Sequence, residues 1–319
     1  MDASVIITTY NQSQVLETTL LFLARQNFVG SWELIICDDG SSQSIVDMIQ
    51  DLAFPRDVFV RYIWQQRNGE QRARSRNNGL LCAKGRVIIL VDGDLVVPHD
   101  FITKHVMYHS RKEHTLIYGT RRWIFLDDLP EGLPAQSIAD SLLADASNSF
   151  GLFSEEWFQE KYSQTAHSWR GCMGCNLSFA SSRPPVLFDE GFIGWGNEDI
   201  EFAYRLQKHF NYRLRFAPEI FGLHLENRSR SGLSILRPTK PDQICAYVRN
   251  CLYLHELHPE VDPVTACELL GHYTYDTELR LWVVAPQPRF ETDHIWHLLG
   301  VAKQWLSDLT NNHKGISDF

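Results

Sequence analysis

The chain has 319 residues, 44% of them hydrophobic, enough to fill one large core or a core with an extension. A formal net charge of −9 argues against a nucleic-acid partner, because phosphate backbones are bound by basic surfaces. Seven cysteines, an odd number scattered along the chain, point to reduced thiols in a cytoplasm. The sequence shows neither a charged-then-apolar leader nor an apolar run of about 18 residues, so no signal peptide or membrane span is expected.

The run Ser4 to Tyr10 reads as a buried strand, and Asn11, Gln12 and Ser13 offer caps for a helix with Leu16, Leu20 and Leu23 on one face. WELIICDD predicts a second strand, SIVDMIQDL a helix, VFVRYIWQ a third strand, residues 70–83 a helix and GRVIILVDGD a fourth strand. This alternation predicts a mostly parallel α/β sheet, which binds ligands at the carboxyl ends of its strands. From 126 to 164 the periodicity degrades, and Pro130, Gly132, Pro134, Phe150, Phe153, Trp157 and Phe158 predict loops and a helix over the site. CNLSFASS resumes strand character, and IEFAYRLQKHF predicts a helix that buries Ile200, Ala203, Tyr204 and Leu206.

Beyond Pro241 the pattern becomes helical. Ile244, Val248, Cys251 and Leu252 form one stripe; Asp262-Pro263 opens a second helix with Gly271 as its stop. Ile295, Leu298, Leu299, Ala302, Trp305, Leu306 and Leu309 form a third, suited to packing on the main domain, to a homodimer seam or to peripheral membrane contact. A soft boundary near 238 separates an α/β domain, residues 1–238, from a helical C-terminal extension, 239–319.

Acidic residues follow the apolar runs: Asp38-Asp39, Asp92-Gly93-Asp94 and, farther on, Glu198-Asp199. Carboxylates gathered at strand ends suit a divalent metal and a nucleotide diphosphate. An EF-hand loop is excluded, because Val96 stands where its third oxygen ligand belongs. Cys172 and Cys175 form a C-x-x-C with no second pair at zinc spacing, so zinc and redox roles are set aside.

In order and approximate spacing, SVIITTYN, IICDDGS, NGEQRARSRNNGLLCAKG, ILVDGD and GWGNEDIEF resemble the motifs of inverting family 2 glycosyltransferases with a GT-A fold. GWGNED is also similar to the C-terminal signature of β-1,4-galactosyltransferases and chondroitin polymerase. The resemblance covers Ala3 to Glu226. It implies a Rossmann-like catalytic domain, a UDP-sugar donor, Mn2+ or Mg2+, and a glycan, peptide or small-molecule acceptor.

The chemistry assigns the residues. Asp94 would bind the metal directly, and Asp92 would contact the ribose or act through water. Asp39 would accept a hydrogen bond from a uracil N–H, with Thr8 and Tyr10 shaping the base pocket. By resemblance, Arg76 stands where the family's Ala-Arg-Asn segment approaches the nucleotide, with Ser75 in place of the usual alanine. Arg72 and Arg74 read as solvated surface. By resemblance too, Asp199 is the base that inverting transfer requires, and Glu198 holds the acceptor or orients the loop. Trp195, between Gly194 and Gly196, can face a sugar ring or join the core. Related transferases recruit a histidine as a further metal ligand at the place of His224, which could equally be structural. Arg228 and Arg230 either close over the diphosphate or lie in an exposed loop.

Two rival classes fit less well. A sugar-nucleotide pyrophosphorylase would carry a Gly-rich, Arg-containing loop after the first strand, where this chain has TTYNQS. A silent sugar-nucleotide-binding protein would tolerate loss of the acids, and all are present.

Overall fold

The computed structural model describes residues 1–110, 114–125, 134–144, 153–154, 156–180, 186–226 and 240–311. Strands β1 (Ala3–Thr9), β2 (Trp32–Asp38), β3 (Phe59–Trp64) and β4 (Val87–Asp92) alternate with helices α1 (Ser13–Ala24), α2 (Val46–Asp51) and α3 (Arg72–Cys82). All four strands are parallel, in the order β3-β2-β1-β4, so the order reverses at β1. Such a reversal opens a crevice at the carboxyl ends. Thr9 lies opposite Asp38 and Thr8 opposite Asp92, so the register brings both acidic strand ends to that crevice.

Side chains alternate across these strands. Val5, Ile7, Leu34, Ile36 and Ile89 pack under Leu16, Leu20 and Leu23 of α1. Ile6, Ile35, Cys37, Ile88 and Leu90 face the other way, toward Ala73 and Leu80 of α3. Burial on both faces is the reason these strands read as unbroken apolar runs. The start of α1 differs from expectation. Gln12 is its N-cap and makes no side-chain cap bond, while Asn11 Oδ1 accepts from the Ser42 N–H at 2.9 Å.

Past β4 the sheet continues through β8 (Asn176–Ala180), β6 (Thr115–Phe125), β9 (Arg213–Glu226) and the short β5 (Leu95–Val96), with β7 (Phe153–Ser154) beside β6. β6 and β9 run parallel, while β8 is antiparallel to β4 and β6, and β5 to β9. The apolar runs alone do not predict β6 and β9, because Arg121, Arg122, Arg213 and Arg215 interrupt their patterns. Helices α4 (Phe101–Tyr108), α5 (Ala135–Ala144), α6 (Glu156–Ser163) and α7 (Glu198–Phe210) complete this part. Ile200, Ala203, Tyr204 and Leu206 of α7 are buried as the pattern predicts.

The C-terminal segment holds α8 (Pro241–Leu257), α9 (Pro263–Ala266), strands β10 (Tyr273–Asp276) and β11 (Leu281–Val284), and α10 (Thr292–Asn311). Asp262 caps α9 through the Thr265 N–H at 2.9 Å, yet that helix ends at Ala266, short of the Gly271 stop, and a 3-10 turn and an antiparallel hairpin follow in the extension expected to be helical. Ile244, Val248, Cys251, Ile295, Leu298, Leu299, Ala302 and Trp305 are buried in the same cluster as Ile6, Leu90, Leu177 and Phe202. The α10 stripe is thus packed inside the chain. No described helix is long and apolar enough to cross a membrane.

Candidate active site

The crevice is a cavity of about 510 Å3, a size suited to a small-molecule ligand such as a nucleotide. Thr8 and Tyr10 at the end of β1, Asp39 after β2, Asp92 and Asp94 at and after the end of β4, and Arg121, Trp123 and His224 from β6 and β9 line it. Asp39 is buried. It accepts from Gln65 Nε2 at 2.5 Å, from Arg67 Nη1 at 2.9 Å and from the Gln71 N–H at 2.9 Å. An ionised carboxylate has about four acceptor directions, so one is left for a ligand. The Arg67 guanidinium lies over the Tyr10 ring, 3.4 Å from its centroid, and makes a stacked rim beside Asp39.

A two-residue ladder builds the next part. Leu95 pairs with His224 across β5 and β9, and the Leu225 N–H donates to Asp94 O at 2.9 Å. This brings His224 Nε2 to 3.2 Å from Asp94 Oδ1, under the Trp123 ring at 4.2 Å between centroids. Burial, then the charges of Asp92 and Glu226, raise the Asp94 carboxyl to about 7. Burial, with Arg121 nearby, lowers His224 to about 3, so its imidazole is neutral at physiological pH. Asp94 Oδ1 and His224 Nδ1 are buried without a hydrogen bond among the described residues.

A neutral imidazole beside a carboxylate strained by like charges is the donor set that a divalent cation would relieve. Among the described residues, no three His, Cys, Asp or Glu side chains converge as a full metal cage.

The second half of the site starts at α7. Glu198 is buried and bound by Arg76 Nη1 at 2.8 Å, while Arg76 Nη2 reaches Asp92 Oδ1 at 3.2 Å. Arg76 therefore ties the end of β4 to the start of α7. Burial works against the Asp92 carboxylate, but Arg76 and Arg72 outweigh it and hold it below its ordinary range. Asp199 is half-buried, and its carboxylate accepts the Gly174 N–H at 2.8 Å and the Ile200 N–H at 2.8 Å, as acids at a helix start do. Burial and the adjacent Glu198 raise Asp199 to about 6, against the pull of Arg76. Asp199 borders a smaller cavity of about 110 Å3. The two cavities share Arg72, Asp92, Arg121 and Trp195 as common wall.

The structure thus gathers Thr8, Tyr10, Asp39, Asp92, Asp94 and His224 around the large cavity and Arg76, Glu198 and Asp199 around the small one, with Trp195 in both. Arg228 and Arg230 lie outside the described residues. Arg74 is exposed as expected, but Arg72 is not plain surface: it ion-pairs with Glu70 and lines both cavities. Arg67, Arg121 and Trp123 also escaped sequence reasoning. The RRW triplet closing a run of apolar residues was the available signal for the last two.

Residues 4–180 match the glycosyl transferase family 2 domain. The chain belongs to that family. The family 2 chain is 30% identical to hyaluronan synthase of Pasteurella multocida over 228 residues, 66% of this chain and 23% of that protein. It is 25% identical to chondroitin synthase of Escherichia coli over 232 residues, 66% of this chain and 32% of that protein. It therefore spans a quarter to a third of the length of these two relatives. Two solved structures share its fold. S. aureus TarS in complex with UDP-GlcNAc has a TM-score of 0.52 at 15% identity, covering 85% of this chain and 72% of that one. A mannosyltransferase from Pyrobaculum calidifontis in complex with GDP-Man and Mn2+ has a TM-score of 0.52 at 14% identity, covering 99% and 77%. The architecture is the GT-A type.

Proposed function

We propose that this chain is a glycosyltransferase that moves a hexose or N-acetylhexosamine from a UDP-sugar to a hydroxyl of a glycan or similar acceptor, with inversion at the anomeric carbon. The observation that carries this reading is the meeting of two cavities at Arg72, Asp92, Arg121 and Trp195, one bordered by Asp94 and His224 and the other by Asp199. The remaining acceptor direction of Asp39 takes the uracil N–H, with Thr8 and Tyr10 as the walls of the base pocket. Asp94 and His224 would hold manganese or magnesium, which when bound supplies positive charge to the departing diphosphate. In the small cavity, Asp199 takes the proton of the acceptor hydroxyl as its oxygen bonds to the anomeric carbon, while the bond to the UDP oxygen breaks and UDP leaves with the electron pair. Glu198, engaged by Arg76, holds the start of α7 so that Asp199 faces the donor.

Support comes from the relatives' names, which are polysaccharide synthases, and from fold neighbours that bind UDP-GlcNAc or GDP-Man with Mn2+. A cytoplasmic setting agrees with an odd number of cysteines scattered along the chain. The test is UDP release from a panel of UDP-sugars, with oligosaccharide acceptors, in manganese and in chelator. Asp94→Asn should abolish transfer, and His224→Ala should raise the manganese requirement with less damage. Near-normal transfer by Asp94→Asn in chelator would overturn the metal role, and a product that keeps the donor's anomeric configuration would overturn inversion.

A further inference from the structure

Trp195 borders both cavities, and the backbone that carries it is unusual. Gly194 and Gly196 have φ of +80° and +96°, and Asn197, the residue before Glu198, has φ of +75°. Three left-handed residues around one tryptophan make a segment with little regular hydrogen bonding of its own. The Gly194 N–H donates to Glu70 O at 2.7 Å, and the carbonyls of the segment find their partners on α8. Asn250 is fully buried, and its Nδ2 donates to Gly196 O at 2.8 Å and to Trp195 O at 3.3 Å. Its Oδ1 accepts from Arg249 Nη2 at 3.0 Å, and the same nitrogen of Arg249 also donates to Ile193 O. One turn of α8 thus holds the carbonyls of residues 193, 195 and 196. The Tyr247 ring lies 5.4 Å from that of Trp195, and Asn197 Nδ2 donates to Cys251 Sγ at 3.4 Å.

We propose that Asn250, with Arg249, is the positioning residue that sets Trp195 and Asp199 for transfer, so that a helix outside residues 4–180 completes the active site. An amide suits the task because one –NH2 supplies two donors to adjacent carbonyls while its oxygen takes the guanidinium. Asn250→Asp keeps the shape and the contact with Arg249 but turns both donated bonds into contacts between oxygens. Loss of this hold should loosen residues 193–199 and leave the nucleotide side intact, since Asp39, Tyr10 and Asp94 rest on β1, β2 and β4. Misplacement of a reacting group by about 1 Å costs roughly 100-fold in rate.

The functional half of the proposal rests on Asp199 acting as the base. Hydrogen exchange does not rest on it. In Asn250→Asp, amides of residues 193–199 should exchange at least ~10-fold faster while those of β1, β2 and β4 keep their protection. UDP affinity by calorimetry should stay within about twofold, and kcat for transfer, measured with the UDP-sugar and oligosaccharide acceptor that the parent uses best in the panel above, should fall roughly 10- to 100-fold. Arg249→Met, at a half-buried position, should give the same pattern more mildly. Unchanged exchange at 193–199, a parent-like kcat, or a uniform loss of protection together with UDP binding in both variants would overturn the proposal. If the parent transfers no sugar at all, the proposed reaction fails, and the exchange measurement still decides whether α8 holds the loop.

Discussion

At the scale of single residues, the site pushes its carboxylates apart by environment. Asp92 and Glu198 are bonded to Arg76, while Asp199, one residue on, keeps only backbone donors. A carboxyl raised to about 6 is a better proton acceptor than an ordinary aspartate and is still ionised at neutral pH. Transfer should therefore fall as pH drops below about 6, because the base becomes protonated. Asp199→Asn should retain UDP binding by calorimetry and lose roughly 10² to 10⁴ in turnover. The same variant makes a stability prediction. A carboxyl whose folded pKa is raised stabilises the fold only while protonated, and that contribution is lost as pH rises from its unfolded value through about 6. Asp199→Asn places an amide NH2 against one of the two N–H donors at any pH, but its stability relative to the parent should rise by about 1–3 kcal/mol between pH 3.5 and pH 7.5. An equal effect at both pH values would place it outside this titration.

At the scale of elements, the parallel half of the sheet was legible because strands buried on both faces must be apolar throughout, and the acids at their ends stand out against Val87 to Val91. Candidate residues that follow such strands, Asp39, Asp92 and Asp94, could be found from sequence for that reason. His224 depends on a different signal. Its place beside Asp94 comes from the β5–β9 pairing, a contact across 130 positions that no local pattern announces. Asn250 was invisible too, since an asparagine in a helix reads as a solvated face until the backbone it serves is known. The hairpin β10–β11 lies between the Gly271 stop and the Ile295 stripe, where no helix was assigned, and its two four-residue strands are too short for an alternating pattern to stand out. The loop before α7 offers a test at this scale. A methyl group at Gly194 would lie 2.5 Å from Ala246 Cβ and would sit at φ +80°. Backbone strain of this kind costs about 1–3 kcal/mol. Gly194→Ala should lower the melting temperature and transfer together while UDP affinity holds; a variant with parent kinetics would show that the loop tolerates a shift away from α8.

At the scale of the whole molecule, the boundary near 238 divides the sequence more sharply than it divides the core. Ile244, Val248, Leu252, Leu254, Ile295, Leu298 and Leu299 are buried in the cluster that also holds Ile6, Leu90 and Phe202. Full burial of such side chains contributes about 1.5–3 kcal/mol each, so together they rival the whole net stability of a domain, about 5–15 kcal/mol. Removing the segment would also strip Glu201 and Tyr204 of α7 of their partners His258 and Glu260. A chain cut after Pro238 should therefore be insoluble, or melt far below the parent. Any soluble fraction should lose transfer before UDP binding, because the nucleotide side is built from β1, β2 and β4 while Trp195 is held from α8. Soluble yield, thermal melting and UDP calorimetry on the truncated chain check this. A soluble truncation with full activity would make residues 239–319 a dispensable appendage, and the shared core would then be packing that the catalytic domain can do without.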